Sequence, residues 1–132
     1  MVIFDSSVLI DHFRTNCHSQ RIDSLDELVR VSSVVLAELW RGATTQEEQA
    51  VLLALERRYP IFTPTEKNWL ESGQMLKKMQ HDHGFEPRKL RDLHFDVLIA
   101  LTARSNGARL ITSNRADFEL IRSYRDFALE VW

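Results

Sequence analysis

Cysteine, proline and glycine are all scarce in this chain of 132 residues. There are one cysteine, three prolines and four glycines. A single cysteine excludes an internal disulfide and fits a reducing compartment. With so few residues that break regular structure, and with no internal repeat or low-complexity segment, the sequence alternates short apolar runs with longer helical stretches.

Long hydrophobic runs are also absent. No stretch approaches the ~20 apolar residues that a membrane-spanning helix requires. The N-terminal apolar run has no basic leader and is interrupted by Asp5 and Asp11, so we expect no signal peptide. These absences predict a cytoplasmic protein that does not associate with a membrane.

The chain has no excess of positive charge. Its formal net charge is −2 and its isoelectric point is near 6.2. Bulk attraction to nucleic acid is therefore missing, which argues against a DNA-binding protein held by many phosphate contacts. A metal-dependent nuclease stays compatible with this charge, because it must carry acidic residues. The length and the ordinary shares of hydrophobic and charged residues predict one globular domain over residues 1–132.

Five short apolar runs separated by helical patterns predict an α/β fold. The predicted strands are residues 2–4, 29–31, 60–63, 109–112 and 128–131. Short apolar strands that alternate with helices favour a central, mostly parallel sheet of about five strands with helices on both faces. In such sheets ligands bind outside the carboxyl ends of the strands, so functional residues are expected at that edge.

One stretch late in the chain interrupts the helical pattern. Residues 81–91 contain Gly84 and Pro87 and are predicted to form a polar loop. The next helix, residues 95–104, is strongly apolar and is expected to begin at Phe95. This boundary would place Asp96 in the first turn of the helix, where an acid complements the helix dipole.

Three acidic residues stand where structure alone does not require them. Asp5 directly follows the first strand, although capping the next helix would by itself explain it. Glu38 interrupts a helix that is apolar on nearly every side. Asp96 is flanked by apolar residues, and burying its charge would cost several kcal/mol unless a cation compensated it.

Two further polar residues follow the fourth strand. Asn114 is a natural helix cap and Asp117 is an ordinary first-turn acid, so each has a structural explanation. Taken together with Asp5, Glu38 and Asp96, however, they can converge on one rim of the sheet. Carboxylates and an amide without a histidine or cysteine pair favour a hard cation, Mg²⁺ or Mn²⁺.

Four segments together resemble the PIN domain family, and within it the VapC toxins of type II toxin–antitoxin pairs. The segments are IFDSSVLID (3–11), VLAELWRG (35–42), DVLIA (96–100) and LITSNRADF (110–118). Each is weak alone, but they occur in the family's order and spacing and span nearly the whole chain. The resemblance implies a single PIN-like domain that is a Mg²⁺- or Mn²⁺-dependent endoribonuclease, cutting RNA to inhibit translation and growth.

The resemblance also implies roles for individual residues. Four acids match the family's catalytic, metal-binding positions: Asp5, Glu38, Asp96 and Asp117. Asn114 and Thr112 match accessory polar positions beside them. Asp92 lies one helical turn before Asp96 and fits an accessory ligand, although a cap or surface residue is the simpler interpretation.

Three arginines beside the motifs are candidates for contacts with substrate phosphates. They are Arg14, Arg41 and Arg115, and for the first two a solvated surface charge is the simpler explanation. In the implied mechanism a metal-bound water attacks the phosphate in line and leaves a 5′-phosphate and a 3′-hydroxyl. Single-stranded or looped RNA is the expected substrate, because its unstacked bases are accessible.

The resemblance implies two protein partners. One is a cognate VapB-like antitoxin, whose C-terminal segment would lie across the catalytic groove. The other is a second copy of the chain, in a homodimer. The candidate antitoxin-binding elements are predicted helices at residues 23–29 and 45–58.

Other functions also fit an acidic α/β domain. A PIN nuclease outside toxin pairs would act in RNA processing, and a degenerate PIN domain would bind nucleic acid without cutting it. The presence of all four acids argues against the degenerate domain. A phosphotransfer receiver-type domain also gathers acids at strand ends, but this sequence lacks the acid doublet after the first strand and the lysine after the last.

Overall fold

Five short strands form one parallel sheet in the computed structural model, which describes residues 1–132. They are β1 (Val2–Phe4), β2 (Val29–Ser32), β3 (Ile61–Phe62), β4 (Arg109–Thr112) and β5 (Leu129–Val131). The order across the sheet is β3-β2-β1-β4-β5, and every neighbouring pair is parallel. Strands β2 and β3 therefore extend the sheet from β1 to one edge, and β4 and β5 then extend it on the other side of β1. Ligands in such sheets bind where the strand order reverses, which here is the carboxyl end of β1 and β4.

Seven helices connect the strands. They are α1 (Ser6–Thr15), α2 (Ser19–Asp23), α3 (Ser33–Gly42), α4 (Gln46–Arg58), α5 (Glu66–His83), α6 (Pro87–Ser105) and α7 (Arg115–Tyr124). The cap residues Asp5, Ser32 and Thr45 each accept a hydrogen bond from a backbone N–H of the helix that follows. None of the helices is both long enough and apolar enough to cross a membrane.

The core lies where the two central strands meet the middle of α6. All three residues of β1 are buried, as are Leu110 and Ile111 of β4, because both strands are covered on both faces. Residues 97–103 of α6 are buried without interruption. This helix packs against β4 and against α3, α5 and α7, which explains why its sequence is apolar on every side. The expected α/β fold of a single PIN-like sheet with covering helices is confirmed.

The predicted polar loop over residues 81–91 is wrong. Helix α5 continues to His83, Gly84 then takes a left-handed conformation with φ 63°, and α6 begins at Pro87. Proline is suited to the first position of a helix, because no hydrogen bond is required of its nitrogen there. Pro87, a residue that typically breaks helices, is therefore the first residue of a helix here. Asp96 consequently lies in the middle of α6, and its expected place in a first turn is also wrong.

The predicted helix over residues 23–29 is likewise wrong. The helix in this region, α2, spans Ser19–Asp23, and the chain then leads into β2 at Val29. The second candidate antitoxin-binding element is confirmed as a helix, since α4 covers Gln46–Arg58 after its Thr45 cap.

Candidate metal centre

Three carboxylates from separate elements meet at the carboxyl edge of the sheet. Asp5 follows β1, Glu38 lies in the middle of α3, and Asp96 lies in the middle of α6. One oxygen of each lies within 4.8 Å of the others. The structure thus brings together three of the four acids that the sequence analysis singled out.

Asp5 is held by hydroxyl groups on both sides. Its Oδ1 accepts a hydrogen bond from the Ser6 backbone N–H at 2.7 Å, and its Oδ2 accepts from Ser7 Oγ at 2.7 Å and from Thr112 Oγ1 at 2.9 Å. The side chain is 2% exposed. Asp5 therefore caps α1 and also faces the cluster, so its structural explanation and its functional one hold together.

The hydroxyls around Asp5 join the two halves of the sheet. Ser7 Oγ lies 3.3 Å from Thr112 Oγ1 and accepts from the Ser113 backbone N–H at 3.1 Å. Thr112 Oγ1 accepts from the Asn114 backbone N–H at 2.9 Å. The loop after β1 is thereby tied to the loop after β4. No role for Ser7 was predicted from the sequence, although its position two residues after Asp5, at the end of a strand, was the available signal.

The surroundings of Glu38 disfavour the ionised form of its carboxyl group. Burial, and then the neighbouring charge of Asp5, raise the pKa of Glu38 from 4.5 to about 7, although Arg41 acts in the opposite direction. Its Oε1 is buried and has no hydrogen-bond partner. An unpartnered buried oxygen on a carboxylate that lies beside two other acids is what a hard cation would satisfy.

Asp96 is perturbed even more strongly. Burial, and then the charges of Asp5, Glu38 and Asp117, raise its pKa from 3.8 to about 8, and Lys89 offsets only part of this. Three carboxylates cannot all be ionised at this spacing without a compensating positive charge. An all-oxygen donor set of this kind fits Mg²⁺ or Mn²⁺ better than zinc, which prefers histidine and cysteine.

Asp117, the fourth predicted acid, lies beside the cluster rather than in it. Lys89 Nζ donates to its Oδ1 at 2.9 Å, and Asn114 Nδ2 donates to its Oδ2 at 3.0 Å. Burial would raise the pKa of Asp117, but the hydrogen bonds from Lys89 and Asn114 and the lysine charge outweigh it and hold the pKa below its usual value. Asn114 also caps α7 as predicted, accepting from the Asp117 N–H. The sequence pattern predicts a loop at Lys89, and a loop position does not indicate the contact with Asp117.

A cleft of about 750 Å³ opens over the three carboxylates. Arg41 and Asp92 line it, together with Arg91 and His94 of α6. His94 is held by Ser72, at 3.1 Å between Nε2 and Oγ. Asp92 thus borders the site without joining the carboxylate cluster, and Arg91, which lies in α6 and not in a loop, is a basic residue of the cleft wall.

The other two predicted phosphate contacts lie elsewhere. Arg115 is 66% exposed and pairs with Glu119 at 3.1 Å on the same helix. Arg14 lines a neighbouring groove between α1, α3 and α4. Of the three arginines proposed from the sequence, only Arg41 therefore borders the cleft.

The family model of the PIN domain matches residues 2–123. This chain belongs to the PIN domain family. The recognition made from four short segments of sequence is thereby confirmed. No curated protein matches the chain significantly.

Solved structures of VapBC and of FitAcB have the same fold as this PIN domain. VapBC from Salmonella typhimurium bound to DNA matches with a TM-score of 0.76 and 21% identity, covering 100% of this chain and 99% of that one. VapBC2 from Rickettsia felis, bound to a promoter DNA fragment, gives 0.76 and 22% over 100% and 99%. FitAcB from Neisseria gonorrhoeae gives 0.71 and 22% over 98% and 96%. At these identities the likeness establishes the fold.

The raised pKa values predict how the stability of the PIN domain depends on pH. Folded Asp96 and Glu38 keep protons that the unfolded chain releases, so without metal the stability they support falls as pH rises from about 4 to about 8. We expect Asp96→Asn to be more stable than the parent protein by about 1–3 kcal/mol at pH 8 and equal to it near pH 3. Urea unfolding in EDTA across this range measures the difference.

A matched control for this prediction is Asp126→Asn, which changes an exposed acid outside the cleft. It should alter stability by less than about 0.5 kcal/mol at every pH. Identical pH profiles for Asp96→Asn and the parent protein would show that the cluster is not under electrostatic stress.

The hydroxyl network predicts that Thr112 supports Asp5. Thr112→Val keeps the shape of the side chain but removes a donor to Asp5 and the acceptor for Asn114 N–H. We expect a loss of about 1–3 kcal/mol in stability and about a tenfold weaker affinity for Mn²⁺. Calorimetric titration of Mn²⁺ measures the affinity. Thr112→Ser keeps the hydroxyl and should bind as the parent does, whereas unchanged Mn²⁺ affinity in Thr112→Val would contradict the supporting role.

Proposed function

We propose that this PIN domain is a divalent-cation-dependent endoribonuclease and the toxin of a type II toxin–antitoxin pair. The observation that carries the nuclease proposal is the trio Asp5, Glu38 and Asp96, partly buried and gathered within 4.8 Å at the floor of an open cleft. Mutually repelling carboxylates that a fold holds this close together are typical of a site where a cation binds between them.

The three carboxylates would hold the cation. When bound, Mg²⁺ or Mn²⁺ lowers the pKa of a coordinated water and polarises a phosphodiester. Asp5 is oriented by Ser7 and Thr112, so it presents a fixed ligand oxygen rather than a mobile one. Glu38 and Asp96 would lose their protons as the cation binds, because metal ligands must be deprotonated.

The cleft supports a nucleic-acid substrate. Arg41 and Arg91 lie on its walls and can contact phosphates on either side of the carboxylates. A chain whose net charge is −2 has little general attraction for a duplex, so these local contacts and the cation would provide the binding. We propose single-stranded or looped RNA as the substrate, cut to leave a 5′-phosphate and a 3′-hydroxyl.

Two observations support a toxin that an antitoxin controls. The structural neighbours that cover 100% of the chain include VapBC complexes, and VapBC is a family of toxin–antitoxin systems. Beside the cleft, a groove of about 570 Å³ between α1, α3 and α4 exposes Phe13 and Val51 and includes Glu38 in its lining. A segment of a VapB-like antitoxin lying in this groove would end at the carboxylates. We also propose that the toxin forms a homodimer and acts in the cytoplasm.

The nuclease proposal is tested by cutting of a labelled single-stranded RNA. We expect cleavage with Mg²⁺ or Mn²⁺, none with EDTA, and a rate lowered about a thousandfold by Asp96→Asn, equivalent to about 4 kcal/mol of transition-state stabilisation. Asp126→Asn is the matched control and should cut normally. Full-rate cutting by Asp96→Asn in Mg²⁺ would overturn the assignment.

The toxin proposal is tested in cells. Induced expression of the chain should arrest growth, and both Asp5→Ala and co-expression of the adjoining small gene should relieve the arrest. Asp11→Ala, which changes an exposed acid in the middle of α1 that does not line the cleft, should remain toxic. Normal growth on expression of a folded, RNA-cutting protein would indicate a PIN nuclease outside toxin pairs, as in RNA processing.

A further inference from the structure

We propose that Lys89 is a built-in cation that takes the place of a second divalent ion beside Asp117, so that this centre binds one metal ion. The inference rests on the proposed metal-dependent function and goes beyond it, because it assigns the number of ions and a role for a lysine outside the sequence motifs. It starts from the contact between Lys89 Nζ and Asp117 Oδ1 at 2.9 Å.

Both oxygens of Asp117 are already satisfied. Lys89 bonds one of them and Asn114 Nδ2 bonds the other at 3.0 Å. A second divalent ion at this carboxylate would have to displace the lysine or share the carboxylate with its positive charge. Glu38, by contrast, presents a buried oxygen with no partner. Asp117 therefore already has a cationic partner, whereas Asp5, Glu38 and Asp96 have none.

Lys89 is placed against the preference of its own helix. It is the third residue of α6, and no acidic residue occupies that first turn. A lysine near the amino end of a helix is disfavoured by the helix dipole. Asp117 of α7 provides the compensating charge across the gap between the helices. Helix capping therefore does not explain the lysine, whereas pairing with the fourth acid does.

The helical repeat directs Lys89 towards the cluster. Lys89 and Asp96 are seven residues apart on α6, which is two turns, so they project from the same face. The lysine charge reaches Asp96, whose pKa it acts to lower. Its side chain is 40% exposed and that of Asp117 is 23% exposed, so the pair lies near the surface instead of in the core. Asn114, which donates to Asp117, lines the cleft.

The charges of the two parts of the centre also differ. Asp5, Glu38 and Asp96 form no ion pair with any lysine or arginine, and one divalent ion would balance two of the three negative charges that they carry once all are ionised. Lys89 and Asp117 sum to zero without any metal. A second divalent ion next to the lysine would face its positive charge at close range, which disfavours binding there.

The test counts Mn²⁺ ions bound to the metal-free full chain, with no RNA present. Electron paramagnetic resonance of unbound Mn²⁺ gives the stoichiometry directly. We expect the parent protein to saturate at one ion and Lys89→Met to take up two, because Asp117 then becomes available. Lys89→Arg keeps the charge and should bind one. Arg88→Met, a neutralising change at the adjacent exposed position, should also bind one.

The double variant Lys89→Met, Asp117→Asn separates a vacated Asp117 from a general loss of positive charge. It should return to one ion. If Lys89→Met does not fold, Lys89→Gln gives the same readout with a polar side chain. Two ions on the parent protein, or one on folded Lys89→Met and Lys89→Gln, would overturn the role of Lys89 and leave the nuclease proposal standing. No ion on the parent protein would overturn both.

Discussion

Repulsion among three partly buried carboxylates is the constraint around which this PIN domain is organised. Asp5, Glu38 and Asp96 come from three elements and meet within 4.8 Å, and the pKa values of Glu38 and Asp96 rise because neither burial nor neighbouring charge favours ionisation. The sheet order helps to bring the three acids to one edge of the sheet. Its central strand ends at Asp5, and the helices that follow the neighbouring strands or cover them direct the other two acids to the same edge.

Hydrogen bonds hold one member of the trio, Asp5, in a fixed orientation. Asp5 accepts from Ser6, Ser7 and Thr112, and the same hydroxyls join the loop after β1 to the loop after β4. Such outer contacts fix the direction of a ligand before the metal arrives. Asp117 is treated differently, because Lys89 and Asn114 occupy it fully. Of the four acids at the family's positions, Asp117 is thus paired with a lysine, whereas Asp5, Glu38 and Asp96 have no cationic partner in this chain.

Much of this architecture could be predicted from local patterns. The apolar strands and the helix caps Asp5 and Asn114 depend on a few neighbouring residues, and the structure has them where they were expected. The errors arose where two opposite signals share one residue. A proline ends a helix from within but begins one at its first position, so residues 81–91 were taken for a loop although α5 and α6 occupy most of them.

The sequence by itself determined the chemistry: which acids are present, that they follow or interrupt apolar elements, and that their spacing is that of a PIN domain. Only the tertiary structure decided which acids share a cation. Lys89 and Asp117 are 28 positions apart and meet because α6 starts two residues before the lysine and packs against α7. Contacts of that kind depend on where whole helices lie, and no short-range preference of the chain encodes them.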